Sequence, residues 1–284
     1  MCTSHPLAAN AGLDIMKTGG NAVDAAVATA AALTVVEPTA NGIGSDAFAL
    51  VWKDGRLSGL NASGPIPAAV TMKLAESLGW ADSGQMPKFG WAPATVPGAP
   101  AAWAELTTKM GRLSLARNLA PAVELARLGH AVSVATARYW ELGIKRYQDE
   151  KGEEFRAWFE AFAPEGRAPR PGELWRSEAH ASTLERIGDS GGRDFYEGEI
   201  AGKILEAARR TGGYFTEDDL GAVSPEWVEP VGVNYRGCRV WEIPPNGQGI
   251  AALIALSILD GFDFQCRDHP ETVHRQLEAM KAAF

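Results

Sequence analysis

The sequence predicts an α+β protein or a layered α/β sandwich, in which helices pack on antiparallel sheet and not on a parallel βαβ array. Three observations predict it. Two dipeptides, Asp54-Gly55 and Arg236-Gly237, each join two runs with strand character. Between them, from Ala101 to about Arg210, the pattern is helical. Finally, the stretch Gly42-Ile43-Gly44-Ser45-Asp46-Ala47 fits a dinucleotide-binding turn, but it follows a helix and precedes a strand. A phosphate-binding turn needs the opposite order, with the phosphate seated on the helix N-terminus. Its glycines are therefore expected to let backbone cross a crowded layer or adopt positive φ.

The elements follow in order. Residues 6 to 18 carry Leu7, Ala11, Ile15 and Met16 at helical spacing, and "TGGN" breaks the pattern. Residues 22 to 36, "AVDAAVATAAALTVV", are apolar on nearly every face, which predicts a helix buried on all sides and ended by Pro38. "FALVW", Asp54-Gly55 and "RLSGLNAS" form a hairpin. Residues 65 to 100 are Pro-rich loop with one short helix near 71 to 79. Helices then begin at Ser114 and Ser133, both suited to N-capping, and several end in glycine. "EWVEPVGVNYRGCRVWEIPP" reads as two strands, "PPNGQG" as a turn, and residues 250 to 259 as an apolar helix. The last helix places Leu277, Met280 and Phe284 on one side. No repeat or low-complexity linker divides the chain, so residues 1 to 284 read as a single domain.

The bulk numbers narrow the function. A chain of 284 residues with 46% hydrophobic and 22% charged content is globular in composition. A net charge of −8 opposes binding to nucleic acid or to an anionic membrane surface. Cys2, Cys238 and Cys266 form no C-x-x-C pair, so they read as reduced thiols. The five histidines fall in no metal-ligand spacing. The opening "MCTSHPLAANAG" has no charged n-region or apolar core of a signal peptide, which favours the cytoplasm. A periplasmic or secreted location would require an export signal ahead of it.

Candidate site residues are few. Asn61 and Ser63 in "LNASGPIP" fall at a strand end, where small-molecule sites often lie, though the same residues also read as a plain turn. In "PPNGQG", Asn246 or Gly247 can cap the following helix. The free N–H groups there could also hold an anion or a carbonyl oxygen. Asp218 and Asp219 suit a helix N-terminus. No G-x-S-x-G or S-x-x-K is present.

Taken together, several long stretches resemble one family. "SHPLAANAGLDIMKTGGNAVDAAVATAAALTVVEPTANGIG", "VPGAPAAWAELTTKMGRLSLARNLAPAVELARLGHAVS", "IGDSGGRDFYEGEIAGKILEAARRTGGYFTEDDLGAV" and "YRGCRVWEIPPNGQGIAALIALSILDGFD" are similar, in this order, to the large subunit of the gamma-glutamyltransferase family of N-terminal-nucleophile hydrolases. The resemblance implies a four-layer αββα sandwich, of which this chain is an incomplete large subunit. It implies a precursor that cleaves itself, and a new N-terminal threonine on the small subunit, beyond Phe284, as nucleophile. It implies a small-molecule amide substrate and no metal or organic cofactor. The partner would be the small-subunit segment of the same precursor, with room for a homodimer of that pair.

The typical transferase carries "D-x-R-E-x-A-P" after the second strand, and its arginine holds the glutamyl α-carboxylate. This sequence has Asn61-Ala62-Ser63-Gly64-Pro65-Ile66-Pro67, with Ser63 in the arginine's place and Gly64 in the glutamate's. One hydroxyl cannot replace a bidentate charged donor. With "GIGSDAF" and "PPNGQG" also departing, the chain looks nearer the acylase- and oxamate-amidohydrolase-like members. Amide hydrolysis is the expected function, with Asn61 and Ser63 lining the acyl side of the pocket. The alternatives are a true gamma-glutamyl transferase or glutathione hydrolase, and a non-catalytic binding protein with a large-subunit fold.

Overall fold

The computed structural model describes residues 1–150 and 152–284. The chain divides into two compact units. One comprises Met1–Asp46 and Gly64–Ser224; the other comprises Ala47–Ser63 and Pro225–Phe284.

The first unit is mainly helical. Helix Pro6–Lys17 starts on a proline, whose missing N–H costs nothing at that position, and the N-cap His5 accepts the Leu7 N–H. Helix Ala22–Val36 opens with a capping box between Asn21 and Asp24. It is buried on most of its surface, although Ala22 and Ala26 remain exposed.

Asp24 lies fully inside and gathers a distant turn. Its carboxylate accepts from Asn21 N (2.9 Å), Arg112 N (2.9 Å), Leu113 N (3.3 Å) and Asn118 Nδ2 (2.9 Å). That turn joins helix Ala99–Met110 to helix Leu115–Leu128, which Ser114 caps as expected. Helix Leu115–Leu128 runs through Pro121 without ending. It packs on helix Glu178–Asp189, where Leu119, Ala122, Leu184 and Ile187 are completely buried. The approach is close because Gly188 faces Ala116, and a Cβ there would meet the Ala116 Cα at 2.9 Å.

One pairing has no signal in the sequence. His130–Ala131 forms a two-residue ladder with Leu174–Trp175. His130 is buried there, its ring centroid 5.7 Å from Trp175 and 6.5 Å from His5.

The second unit holds the two hairpins. Ala47–Lys53 pairs antiparallel with Arg56–Ala62 across Asp54 (φ 51°) and Gly55 (φ 79°). Val231–Tyr235 pairs with Cys238–Glu242 across Arg236 (φ 51°) and Gly237 (φ 81°). Positive φ at both central residues is the type I′ signature of two-residue hairpins.

Where two strands were expected near residues 226 to 243, there are three. Glu226–Val228 leaves the second hairpin and pairs with Arg56–Ala62, so that strand becomes the centre of a three-stranded sheet. Pro230 explains the break, because proline cannot donate to a ladder. Helices Gly249–Asp260 and Pro270–Ala283 complete the unit and pack through Ala255, Leu259 and Ala279. Leu277, Met280 and Phe284 are exposed, at 59%, 39% and 75%.

Candidate functional site

Strand Arg56–Ala62 ends at the candidate site. Leu60 and Ala62 are buried, and the alternation of the strand puts Asn61 on the other side. The Asn61 Oδ1 accepts the Ser63 N–H at 3.0 Å, a local turn that fixes the chain as it leaves the sheet. The structure therefore brings the two expected residues together.

It also adds a third. Asn61 Nδ2 donates to Asn246 Oδ1 at 3.0 Å, and Asn246 Nδ2 donates to Ser63 Oγ at 2.6 Å. The expectation that Asn246 or Gly247 caps the next helix is overturned. The N-cap is Gln248, which makes no side-chain cap bond, and Asn246 turns sideways to the sheet. "PPNGQG" marked the turn in sequence, but nothing local signalled its partner. The cluster contains no ionisable side chain, so it is neutral at every working pH.

The backbone beyond Ser63 is fixed by steric necessity. Gly64 has φ 72°, and a Cβ there would land inside the Val96 carbonyl oxygen. Val96 N in turn donates to Pro65 O at 2.9 Å. Further on, Asp219 Oδ1 accepts the Ala68 N–H at 2.8 Å while its Oδ2 accepts the Thr216 N–H at 2.9 Å. Asp219 thus lies in the first turn of its short helix, as expected, where it answers the N-cap Thr216, and it also ties down the Pro-rich loop. Burial opposes its ionisation, but the bonds from Ala68 and Thr216 outweigh this and hold its carboxyl below the usual range.

The Gly42–Ala47 turn does not behave as expected. Neither Gly42 nor Gly44 has positive φ. A Cβ on Gly42 would meet nothing closer than 4.0 Å, and one on Gly44 would sit 3.8 Å from Pro97 Cγ. Crowding and strain are both absent at these two positions. The anchoring falls to Ser45. Its hydroxyl donates to Gly42 O at 2.6 Å, and its carbonyl accepts from Gly98 N (3.1 Å) and Ala99 N (2.9 Å) at the start of helix Ala99–Met110.

Among the described residues, no group of three or more His, Cys, Asp or Glu could hold a metal ion. No described helix is long and apolar enough to cross a membrane.

Residues 8–284 match the gamma-glutamyltranspeptidase family model. The chain is 36% identical over 285 residues to the glutathione hydrolase-like YwrD proenzyme of Bacillus subtilis (strain 168), covering 99% of this chain and 52% of that protein. It is 32% identical to the oxamate amidohydrolase proenzyme of Klebsiella pneumoniae subsp. pneumoniae, with the same coverage of 99% and 52%. Among solved structures, cephalosporin acylase from Bacillus halodurans matches with TM-score 0.95 and 55% identity, over 99% of this chain and 52% of that one. Helicobacter pylori gamma-glutamyltranspeptidase matches with TM-score 0.87 and 27% identity, over 99% and 81%. The chain spans about half the length of the curated relatives it matches. Its fold is α+β, the large-subunit part of the N-terminal-nucleophile hydrolase sandwich. The chain belongs to the gamma-glutamyltranspeptidase family, nearer its acylase- and amidohydrolase-like members.

Proposed function

We propose that the whole protein is an amide hydrolase acting on a small amide or acyl-amino compound, with residues 1–284 serving as one domain, the large-subunit part. The new N-terminal threonine of the small subunit attacks the amide carbonyl, with its α-amino group as base. An ester forms between the threonine oxygen and the acyl carbon, and the amine leaves with a proton. Water then attacks the ester, releases the acid and restores the threonine hydroxyl. This sequence of steps needs no cofactor. Asn61 and Ser63 line the acyl side of the pocket.

The observation that carries this reading is Gly64. The arginine–glutamate pair that would hold a glutamyl α-carboxylate is replaced by Ser63-Gly64, and the positive φ of Gly64 bars a side chain from that backbone. Glutathione hydrolysis is the second reading, favoured by the name of the 36% identical relative.

The partner is the small-subunit segment of the same precursor. Phe48, Leu50 and Trp52 alternate along strand Ala47–Lys53 and stand 42%, 41% and 68% exposed, an apolar row suited to burial by that segment. The exposed, unpaired Cys2, Cys238 and Cys266 suit a reducing cytoplasm.

The test uses the full-length gene product. Self-cleavage is followed on a gel, and oxamate, glutathione and a gamma-glutamyl anilide are assayed side by side. Turnover of a non-glutamyl amide is the expected result. Gamma-glutamyl turnover that exceeds all other substrates would overturn the reading in favour of the second one.

A further inference from the structure

Helix Val134–Tyr147 and the irregular segment after Phe162 form the two walls of a groove of about 580 Å³ in the first unit. That volume falls in the range of small-molecule sites. Its floor is apolar: Ala137 and Pro169 are buried, and Ile144 and Ala168 are half-buried. Its rim is cationic. Arg138 and Lys145 come from the helix, Arg167 and Arg170 from the segment, and Glu141 is the one acid among the lining residues. In a chain of net charge −8, four cations against one acid is a local exception.

The four cations are not equivalent. Lys145 pairs with Glu141 at 2.8 Å. Arg167 is clamped between Glu165 at 2.7 Å and Glu173 at 2.9 Å. Among the described residues, no carboxylate pairs with the guanidinium of Arg138 or of Arg170. Each wall therefore offers one guanidinium whose donors are uncommitted. The wall that carries Arg170 is also held in place. Trp140 Nε1 donates to Phe162 O at 2.8 Å, Gly172 N to Val132 O at 2.8 Å, and Val132 N to Glu173 O at 3.0 Å. The Glu173 carboxylate accepts the Arg170 N–H at 2.9 Å, and Pro169 and Pro171 fix φ on either side of Arg170. Little backbone entropy is left to lose when a ligand binds there.

An exposed guanidinium alone holds an anion weakly, because water and salt screen the charge. The apolar floor supplies what the charge lacks. A free inorganic anion makes no use of that floor, and a neutral apolar molecule leaves both arginines unpaired. We propose that the groove binds a small amphipathic carboxylic acid. Its carboxylate is held by Arg138 and Arg170, and its apolar body lies along Ala137, Ile144 and Pro169. The inference does not depend on which amide the whole protein hydrolyses.

The experiment is a ligand-observed NMR titration of the full-length protein with 4-phenylbutyrate, 4-phenylbutanol and acetate. These probes carry head and body, body alone, and head alone. 4-Phenylbutyrate binds with a Kd of about 1 mM or below, and each of the others at least about tenfold more weakly. Arg138→Gln and Arg170→Gln each weaken 4-phenylbutyrate about threefold and together about tenfold, while 4-phenylbutanol is unaffected. Arg138→Lys recovers part of that loss, which separates loss of charge from a folding defect. Ile144→Ala weakens 4-phenylbutyrate by about threefold or more and leaves acetate unchanged. Raising the salt from about 0.05 to about 0.5 M weakens 4-phenylbutyrate binding to the wild type but not to the double variant. 4-Phenylbutanol that binds as well as 4-phenylbutyrate overturns the inference, because the arginines then contribute nothing. Acetate that binds as tightly overturns it too, because the floor then contributes nothing. Unchanged affinity in the double arginine variant, or no binding of 4-phenylbutyrate at about 10 mM, has the same consequence.

Discussion

Replacing Asp24 by alanine should weaken the first unit more than any surface change. Asp24 is fully buried and its carboxylate collects four donors from three places in the chain. Asn21 and the Arg112–Leu113 turn are part-buried, and water can replace some of what they lose. Asn118 is completely buried and keeps only its bond to Thr107 Oγ1 at 3.2 Å. Hydrogen bonds to a charged group are worth about 1.5–3 kcal/mol each, and those sharing one acceptor do not add fully. Loss of the capping box contributes about 1 kcal/mol. The sum expected is about 3–5 kcal/mol, a large fraction of the 5–15 kcal/mol or so that holds an ordinary domain together. Asp24→Asn keeps the shape and one acceptor oxygen, and should cost roughly half as much.

The pH dependence adds a second signature. Burial, the largest influence on Asp24, opposes ionisation, but the bonds from Asn21, Asn118, Arg112 and Leu113 outweigh it and hold the carboxyl below the ordinary carboxylate range. A folded pKa below the unfolded one means that the stabilisation is complete above the unfolded value, near about 4. It is lost as pH falls through the folded value. The assay is urea unfolding followed by tryptophan fluorescence, at neutral pH and in steps toward pH 3. Asp24→Ala should lower the midpoint at constant slope and flatten the acid limb. A midpoint shift equivalent to under about 0.5 kcal/mol, with the acid limb unchanged, would show that the carboxylate is not holding the turn.

Two further changes have defined outcomes. Gly64→Ala forces a left-handed backbone that costs about 1–2 kcal/mol and drives a Cβ into the Val96 carbonyl, so the loop must move. Thermal unfolding should show the loss, and an unshifted melting temperature would mean the loop is free to relax. His130 has its pKa pushed down to about 4, first by burial and then by the charge of His5. The neutral form therefore supports the fold above pH about 6.5, and that support is lost as pH falls through about 4, by up to on the order of 3 kcal/mol. His130→Phe should remove most of this slope in a pH series of melting temperatures, and an identical slope in the variant would count against it.

What was legible in the sequence was local. Both hairpins could be read because the type I′ turn needs two adjacent residues with positive φ, and Asp54-Gly55 and Arg236-Gly237 advertise it. The helix starts at Ser114 and Ser133 could be read because each cap binds an N–H three residues away. What was not legible joins residues far apart. Asn118 meets Asp24 across 94 positions, and Asn246 meets Asn61 across 185. The partner of strand Glu226–Val228 is not legible either, because pairing choice depends on which edge is open, and three residues carry no pattern that says so. The last helix is a related case. Its periodicity puts Leu277, Met280 and Phe284 on one side but does not say that Ala279 would meet the neighbouring helix.

The glycines make the same point at the site itself. Gly42 and Gly44 drew attention through a motif, and the structure gives them neither strain nor crowding. Gly64 belonged to no glycine motif, yet it is held by backbone geometry that excludes every side chain. Exchanging Arg-Glu for Ser-Gly is therefore not two independent side-chain changes. Once Gly64 follows its left-handed path against Val96, a glutamate cannot return to that position without moving the loop that Pro65, Val96 and Asp219 secure. An arginine placed at Ser63 would bring the charge back but not its acidic neighbour. It would also displace the hydroxyl that Asn246 holds. A change at Ser63 or Gly64 therefore has to rebuild residues 63 to 68 as a unit.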